Sequence, residues 1–132
     1  MKRLKQFNQR GFTLIEILIV VMIIGLIASL VAPNLFKQFE KSKEKVTKAQ
    51  VEMLSSSVQS FVLDVGRYPA SLGELMISDD KKWRGPYLSK SELPLDPWGR
   101  EYQYKCPGEH GYFDLYSLGP NGKLDEGIIK NW

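Results

Sequence analysis

A chain of 132 residues, 43% of them hydrophobic, with a formal net charge of +3, has room for one small soluble domain and at most one membrane span. Its single cysteine, Cys106, excludes an internal disulfide, and no Cys-x-x-Cys or Cys/His spacing suited to zinc is present. The positive charge is no nucleic-acid footprint. Lys2, Arg3, Lys5 and Arg10 precede residue 12 with no acid among them, and the rest of the chain carries 14 basic against 15 acidic residues. Such an uneven balance points to membrane topology and not to nucleic acid.

The first element is the apolar run Gly11–Ala32. Counted from Phe12 it is 21 residues long, with Glu16 its one ionisable member and no charge at all from Ile17 to Ala32. Roughly 20 apolar residues in a helix cross a bilayer core. Basic residues ahead of such a span keep the N-terminus cytoplasmic. A secretory signal peptide shares the basic start and is cut after its apolar stretch at small residues. Gly25, Ala28 and Ala32 leave that cut open, although the run is long for a signal.

Phe12 to about Gly66 is predicted as one helix, with residues 12–32 as its spanning half and 33–66 as its amphipathic half. In the second half Val46, Ala49, Met53, Ser57, Phe61 and Val65 recur at steps of three and four, with Leu54, Val58 and Val62 beside them. Lys37–Lys45 between the halves reads as a solvated charge run. Pro33 removes one backbone hydrogen bond and crowds the preceding turn, so it marks a bend, a local opening or simply a tolerated kink.

Residues 67–132 form the globular remainder. Gly66 and Pro69 stop the helix. Ser71-Leu72-Gly73-Glu74 fits a capping box, predicting a short helix through about Ile77. Trp83–Pro94 has no clean period and reads as an irregular segment packed by Trp83, Tyr87 and Leu88. Asp96-Pro97-Trp98-Gly99 is a turn. Glu101–Lys105 and Tyr112–Ser117 are predicted strands of an antiparallel hairpin whose apolar side packs on the Val46–Val65 stripe. Cys106 is expected to be small and partly buried in a strand. The fold class is therefore α+β, a long N-terminal helix with a small antiparallel sheet folded on it.

Several short segments resemble one family. Gly11-Phe12-Thr13-Leu14-Ile15-Glu16, behind a basic leader and ahead of an apolar helix, resembles the processing signature of type IV pilins and pseudopilins. Arg67-Tyr68-Pro69, Leu93–Gly99, Ser117–Gly122 and Asn131-Trp132 resemble the major pseudopilins of type II secretion systems. Together the motifs span nearly the whole chain. The resemblance implies a leader, residues 1–11, removed by prepilin peptidase between Gly11 and Phe12, followed by methylation of the Phe12 amine. It also implies a homopolymer built in the periplasm from inner-membrane subunits, with minor pseudopilins and an inner-membrane assembly platform as partners. The absence of a paired C-terminal cysteine favours the pseudopilin branch. An adhesive, motility or DNA-uptake pilin is the neighbouring alternative, and a membrane-tethered binding module that never polymerises is the alternative of another class.

Glu16 is the sharpest site. An ionisable residue within an apolar span is a functional candidate by default, and the plain alternative is that it reaches the headgroups. With the resemblance, it is expected to pair with the Phe12 amine of a neighbouring subunit. The resemblance likewise gives Pro33 a role in extension or unwinding as subunits pack. It further implies Ca²⁺ in the C-terminal loop, with the Leu118 carbonyl and the side chains of Asn121, Asp125 and Glu126 as ligands. Here the sequence departs from the family pattern. Asn121 stands where an aspartate is usual, Glu126 replaces the second aspartate of a pair, and the loop is shorter. The plain alternative is a turn-rich loop with solvated acids. His110 shows no orienting partner or nucleophile in the sequence, and no acid–base pair is evident, so an enzyme is not expected.

Overall fold

The computed structural model describes residues 10–132, so most of the leader (residues 1–9) lies outside the described residues. Its contacts divide the chain into a unit ending at Gln38 and a second unit, Phe39–Trp132. One helix, α1 (Leu14–Val65), runs on through Pro33 without interruption. Most side chains from Phe12 to Phe39 are exposed, among them Ile17, Met22, Leu26 and Leu30.

In the second unit, helix residues Val51, Leu54, Val58, Phe61 and Val65 build the core with Leu72, Leu75, Leu88, Tyr102 and Leu115. Each such burial contributes about 2 kcal/mol, the usual value for a large apolar side chain removed from water. The buried stripe is rotated from the one expected. Val46 and Met53 are about half exposed, and Thr47 is fully buried in their stead. Thr47 can sit inside because its hydroxyl donates back to the Lys43 carbonyl at 2.8 Å. A pattern search for apolar residues passes over such a self-satisfied threonine.

Beyond the helix lies a 3-10 turn (Leu72–Leu75), shorter than the helix expected there. Ser71 makes no capping bond. Glu74 reaches past it to the Ala70 N–H at 2.7 Å and accepts from the Nη1 and Nη2 groups of Arg67 at 2.9 and 3.0 Å. With its carboxylate so engaged, the capping box does not form. Trp83–Pro94 is irregular, as its pattern suggests, but firmly held. The Tyr87 hydroxyl donates to Asp64 at 2.9 Å, the Tyr87 N–H donates to the Leu75 carbonyl at 2.8 Å, and the Trp83 indole donates to the Glu74 carbonyl at 2.9 Å.

The sheet has three antiparallel strands in the order β1 (Gln103–Lys105), β2 (Asp114–Ser117), β3 (Ile129–Lys130). Tyr104 pairs with Leu115, and Tyr116 with Lys130. The hairpin is the predicted one, though shorter. The third strand was not foreseen: two residues are too few to show a period, and β3 exists only because β2 offers it an edge. Cys106 is exposed in the turn after β1, not partly buried within a strand.

Candidate functional site: the N-terminal helix start and the C-terminal loop

The start of α1 is built by Thr13 and Glu16. The Glu16 carboxylate accepts the Thr13 N–H at 2.8 Å, and the Glu16 N–H donates to the Thr13 hydroxyl at 3.3 Å. This is a reciprocal capping box, which satisfies two of the N–H groups a helix start leaves free. The Thr-x-x-Glu spacing that announces it is legible in the hexapeptide at residues 11–16. Only one carboxylate oxygen is used by Thr13, and a carboxylate has acceptor capacity for further donors. Phe12 just outside the cap is 85% exposed, and the space where a Gly11 Cβ would stand is open. The helix beyond presents a long run of exposed apolar side chains, of the kind that marks a membrane or protein contact surface. It is the one helix among the described residues long and apolar enough to cross a membrane.

In the second unit, two turns far apart in sequence lock onto one another. The Asp96-Pro97-Trp98-Gly99 turn closes through the Gly99 N–H on the Asp96 carbonyl at 2.8 Å. The Asp96 side chain, 3% exposed, accepts the Trp98 and Arg100 N–H groups at 3.1 and 2.8 Å on one oxygen and the Ser117 hydroxyl at 2.7 Å on the other. Ser117 in turn accepts the Gly119 N–H at 3.0 Å. Arg100 closes the ring from the other side by donating to the Gly119 carbonyl at 2.7 Å. Trp98 reaches the helix, where its indole donates to Glu40 at 3.1 Å, and Lys43 meets the same carboxylate at 3.2 Å. The Trp98 bond, then Lys43, hold the Glu40 carboxyl below its ordinary range. The Lys37–Lys45 run is therefore not merely a wet helix face, because Glu40 and Lys43 anchor the turn.

The loop after Ser117 contains the four residues for which calcium is implied. Asp125 accepts the Asn121 amide at 3.0 Å on one oxygen and the Gly127 N–H at 2.8 Å on the other. A carboxylate only accepts, so Asn121 turns its NH₂ toward Asp125 and not its carbonyl. Glu126 is exposed. Among the described residues no group of three or more His, Cys, Asp or Glu side chains is placed to hold a metal. Arg100, a cation, lies against the loop backbone at Gly119 and Gly122. Calcium wants six to eight oxygens, so the residues as arranged do not fit it.

The chain end is clasped to the sheet. Asn131 accepts the Leu115 N–H on its side chain at 2.9 Å and donates its own N–H to the Leu115 carbonyl at 3.0 Å. Trp132 stacks on His110 with centroids 4.1 Å apart. His110 Nδ1 lies 3.1 Å from Asp114, an orienting carboxylate the sequence alone does not reveal. Burial opposes ionisation of Asp114, but N–H groups of Glu109 and His110 and the His110 ring prevail and keep its carboxyl low. Among the described residues no nucleophilic hydroxyl or thiol is hydrogen-bonded to His110, so the pair reads as a clasp. At the other side of the sheet the Tyr104 hydroxyl donates to the Pro69 carbonyl at 2.8 Å, and Tyr68 packs on Phe113 and Tyr112.

A long capped apolar helix, with a three-stranded antiparallel sheet in the C-terminal part, defines a pilin-like subunit. The family model described as Type II secretion system (T2SS), protein G matches residues 34–132, and that of the prokaryotic N-terminal methylation motif matches residues 6–32. The type II secretion system core protein G of Dickeya chrysanthemi is 40% identical over 137 residues, covering 95% of this chain and 87% of the relative. That of Pseudomonas aeruginosa is 38% identical over 138 residues, covering 95% and 96%. Among solved structures, the major pseudopilin from the type 2 secretion system of enterohaemorrhagic Escherichia coli matches with a TM-score of 0.65 and 31% identity, over 76% of this chain and 91% of that one. The chain belongs to the type II secretion system protein G family.

Proposed function

We propose that this chain is the major pseudopilin of its secretion system, a structural subunit that polymerises into a periplasmic pseudopilus. The observation that carries the reading is the apolar stretch of α1 between Leu14 and Phe36, nearly all of it exposed and carrying a single ionisable side chain, Glu16, at its start. Such a surface has two stable environments, a bilayer and the packed helices of other copies. A filament subunit passes from the first to the second.

The proposed sequence begins in the inner membrane, with residues 1–11 cytoplasmic and the C-terminal part in the periplasm. Prepilin peptidase cuts between Gly11 and Phe12, and the Phe12 amine is methylated. The match to the N-terminal methylation motif supports this step. Glu16 then pairs with the Phe12 amine of a neighbour as subunits leave the bilayer. An unpaired carboxylate is costly in an apolar setting, and an ammonium partner offsets that cost. Pro33, which removes one helical hydrogen bond, is the proposed point of adjustment as helices pack. Minor pseudopilins and the assembly platform in the inner membrane complete the machine, with no part for nucleic acid.

Glu16→Ala tests the reading. The variant inserts normally, because an apolar residue enters a bilayer more readily than a charged one. Filaments sheared from cells that co-express the assembly genes are then lost while the membrane pool is kept. Wild-type filament yield from Glu16→Ala would reduce Glu16 to an interfacial residue.

A further inference from the structure

We infer that Arg100 serves the C-terminal loop as its built-in cation, so that the segment from Ser117 to Gly127 is closed without calcium. The inference rests on the geometry of the loop and stands whether or not the chain polymerises.

Three observations converge on it. First, the Arg100 guanidinium donates to the Gly119 carbonyl at 2.7 Å, a charge-assisted bond to a backbone oxygen beside Leu118. Second, the loop makes a cradle for that side chain. A Cβ on Gly122 would stand 2.7 Å from the Arg100 Cζ, Nε and Nη2 atoms, so the planar group lies flat on the backbone of a glycine with φ +65°. A side chain at 122 would be strained by that φ and would also fill the guanidinium's place. Third, the acid of the loop is already engaged. Asp125 spends one oxygen on the Asn121 amide and the other on the Gly127 N–H, drawing the two ends of the loop together. Gly119 seals the same closure, because a Cβ there would meet the Gly127 carbonyl oxygen at 2.2 Å.

These contacts supply what a bound cation supplies to a turn-rich loop: a positive charge on a backbone oxygen, and a fixed separation between its ends. They also oppose a second cation. A divalent ion among Leu118, Asn121 and Asp125 would have to release Asp125 from Asn121 and Gly127 while sitting near the Arg100 guanidinium cation.

The test uses the full chain in detergent micelles, with CaCl₂ and EGTA as the probes. Wild type melts at the same temperature in both, and titration with CaCl₂ to on the order of 1 mM, the weak end of biological calcium sites, gives no binding heat. A melting temperature that rises with calcium, or a saturable heat, overturns the inference. The loop carries its own reporter, Lys123, which is exposed. Arg100→Ala accelerates tryptic cleavage after Lys123 on the order of tenfold, because losing a charge-assisted bond raises the open population by that much. Cleavage after Lys90, outside the loop, is the control. Arg100→Lys, which keeps the charge but not the flat fork, falls between. Wild-type cleavage at Lys123 in Arg100→Ala shows that the arginine does not hold the loop and also overturns the inference.

Discussion

The Ser117 hydroxyl donates to Asp96 at 2.7 Å, and both residues are buried, 21 positions apart in sequence. This bond joins the turn that begins at Asp96 to the end of β2, and through Ser117 it fixes the Gly119 N–H as well. Two motifs that read separately along the chain are one structural device.

Ser117→Ala removes the middle of that relay. It leaves a buried carboxylate short of one donor and the Gly119 N–H without its acceptor, at a cost of about 2 kcal/mol. Asp96→Ala frees three donors at once and is expected to cost about 3 kcal/mol, with the larger fall in melting temperature. Thermal unfolding of both variants checks the order. Equal, small effects would mean that solvent reaches the site.

Thr13→Ala removes the hydroxyl half of the capping box at the start of α1. Loss of an N-cap side chain costs about 1 kcal/mol of local helix stability. Amide exchange at Ile15–Ile17 in micelles is expected to quicken by roughly fivefold, that free energy expressed as a ratio. Membrane insertion is unchanged. Unaltered exchange would show that the helix start is held by something other than Thr13.

Glu74 gives a pH dependence of definite sign. The Arg67 guanidinium, with the Ala70 N–H, outweighs burial and holds its carboxyl below the ordinary 4.5. A depressed acid contributes stability that is present above the unfolded value and lost as pH falls through the folded one. The contribution therefore disappears below pH 4.5. Because the Arg67 side chain is 44% exposed, solvent screening limits it to less than about 1 kcal/mol. Glu74→Gln flattens that part of the acid limb of the melting-temperature profile. An unchanged limb would assign acid sensitivity elsewhere.

Trp98→Phe keeps a ring but deletes the donor that contributes most to the low titration of Glu40. The Glu40 carboxyl, followed by NMR, should titrate closer to 4.5, with Lys43 accounting for the residual shift. No upward movement would mean that Lys43 alone sets the value.

The long helix, its exposed apolar half and the antiparallel hairpin were legible because each rests on local periodicity or composition. Glu16 stood out for the same reason, as one acid in an apolar run. The features that were not legible depend on partners brought from elsewhere in the chain. Thr47 replaces Val46 in the core through a bond to its own helix. Glu74 abandons the capping box for Arg67. β3 is a strand only beside β2. Arg100 was unremarkable as one of many basic residues, yet the absent Cβ of Gly122 is shaped to receive it. Its position bears on the calcium ligands implied by resemblance, which local sequence cannot reveal.

The proposed processing at Gly11–Phe12 and polymerisation through the exposed apolar helix stand or fall on one measurement. The most direct test is the intact mass of the subunit in filaments sheared from cells that express it with its assembly genes. A single species comprising residues 12–132 with one added methyl group is expected. Filaments built of chains that retain Met1, or a processed chain that never enters a filament under those conditions, would contradict it.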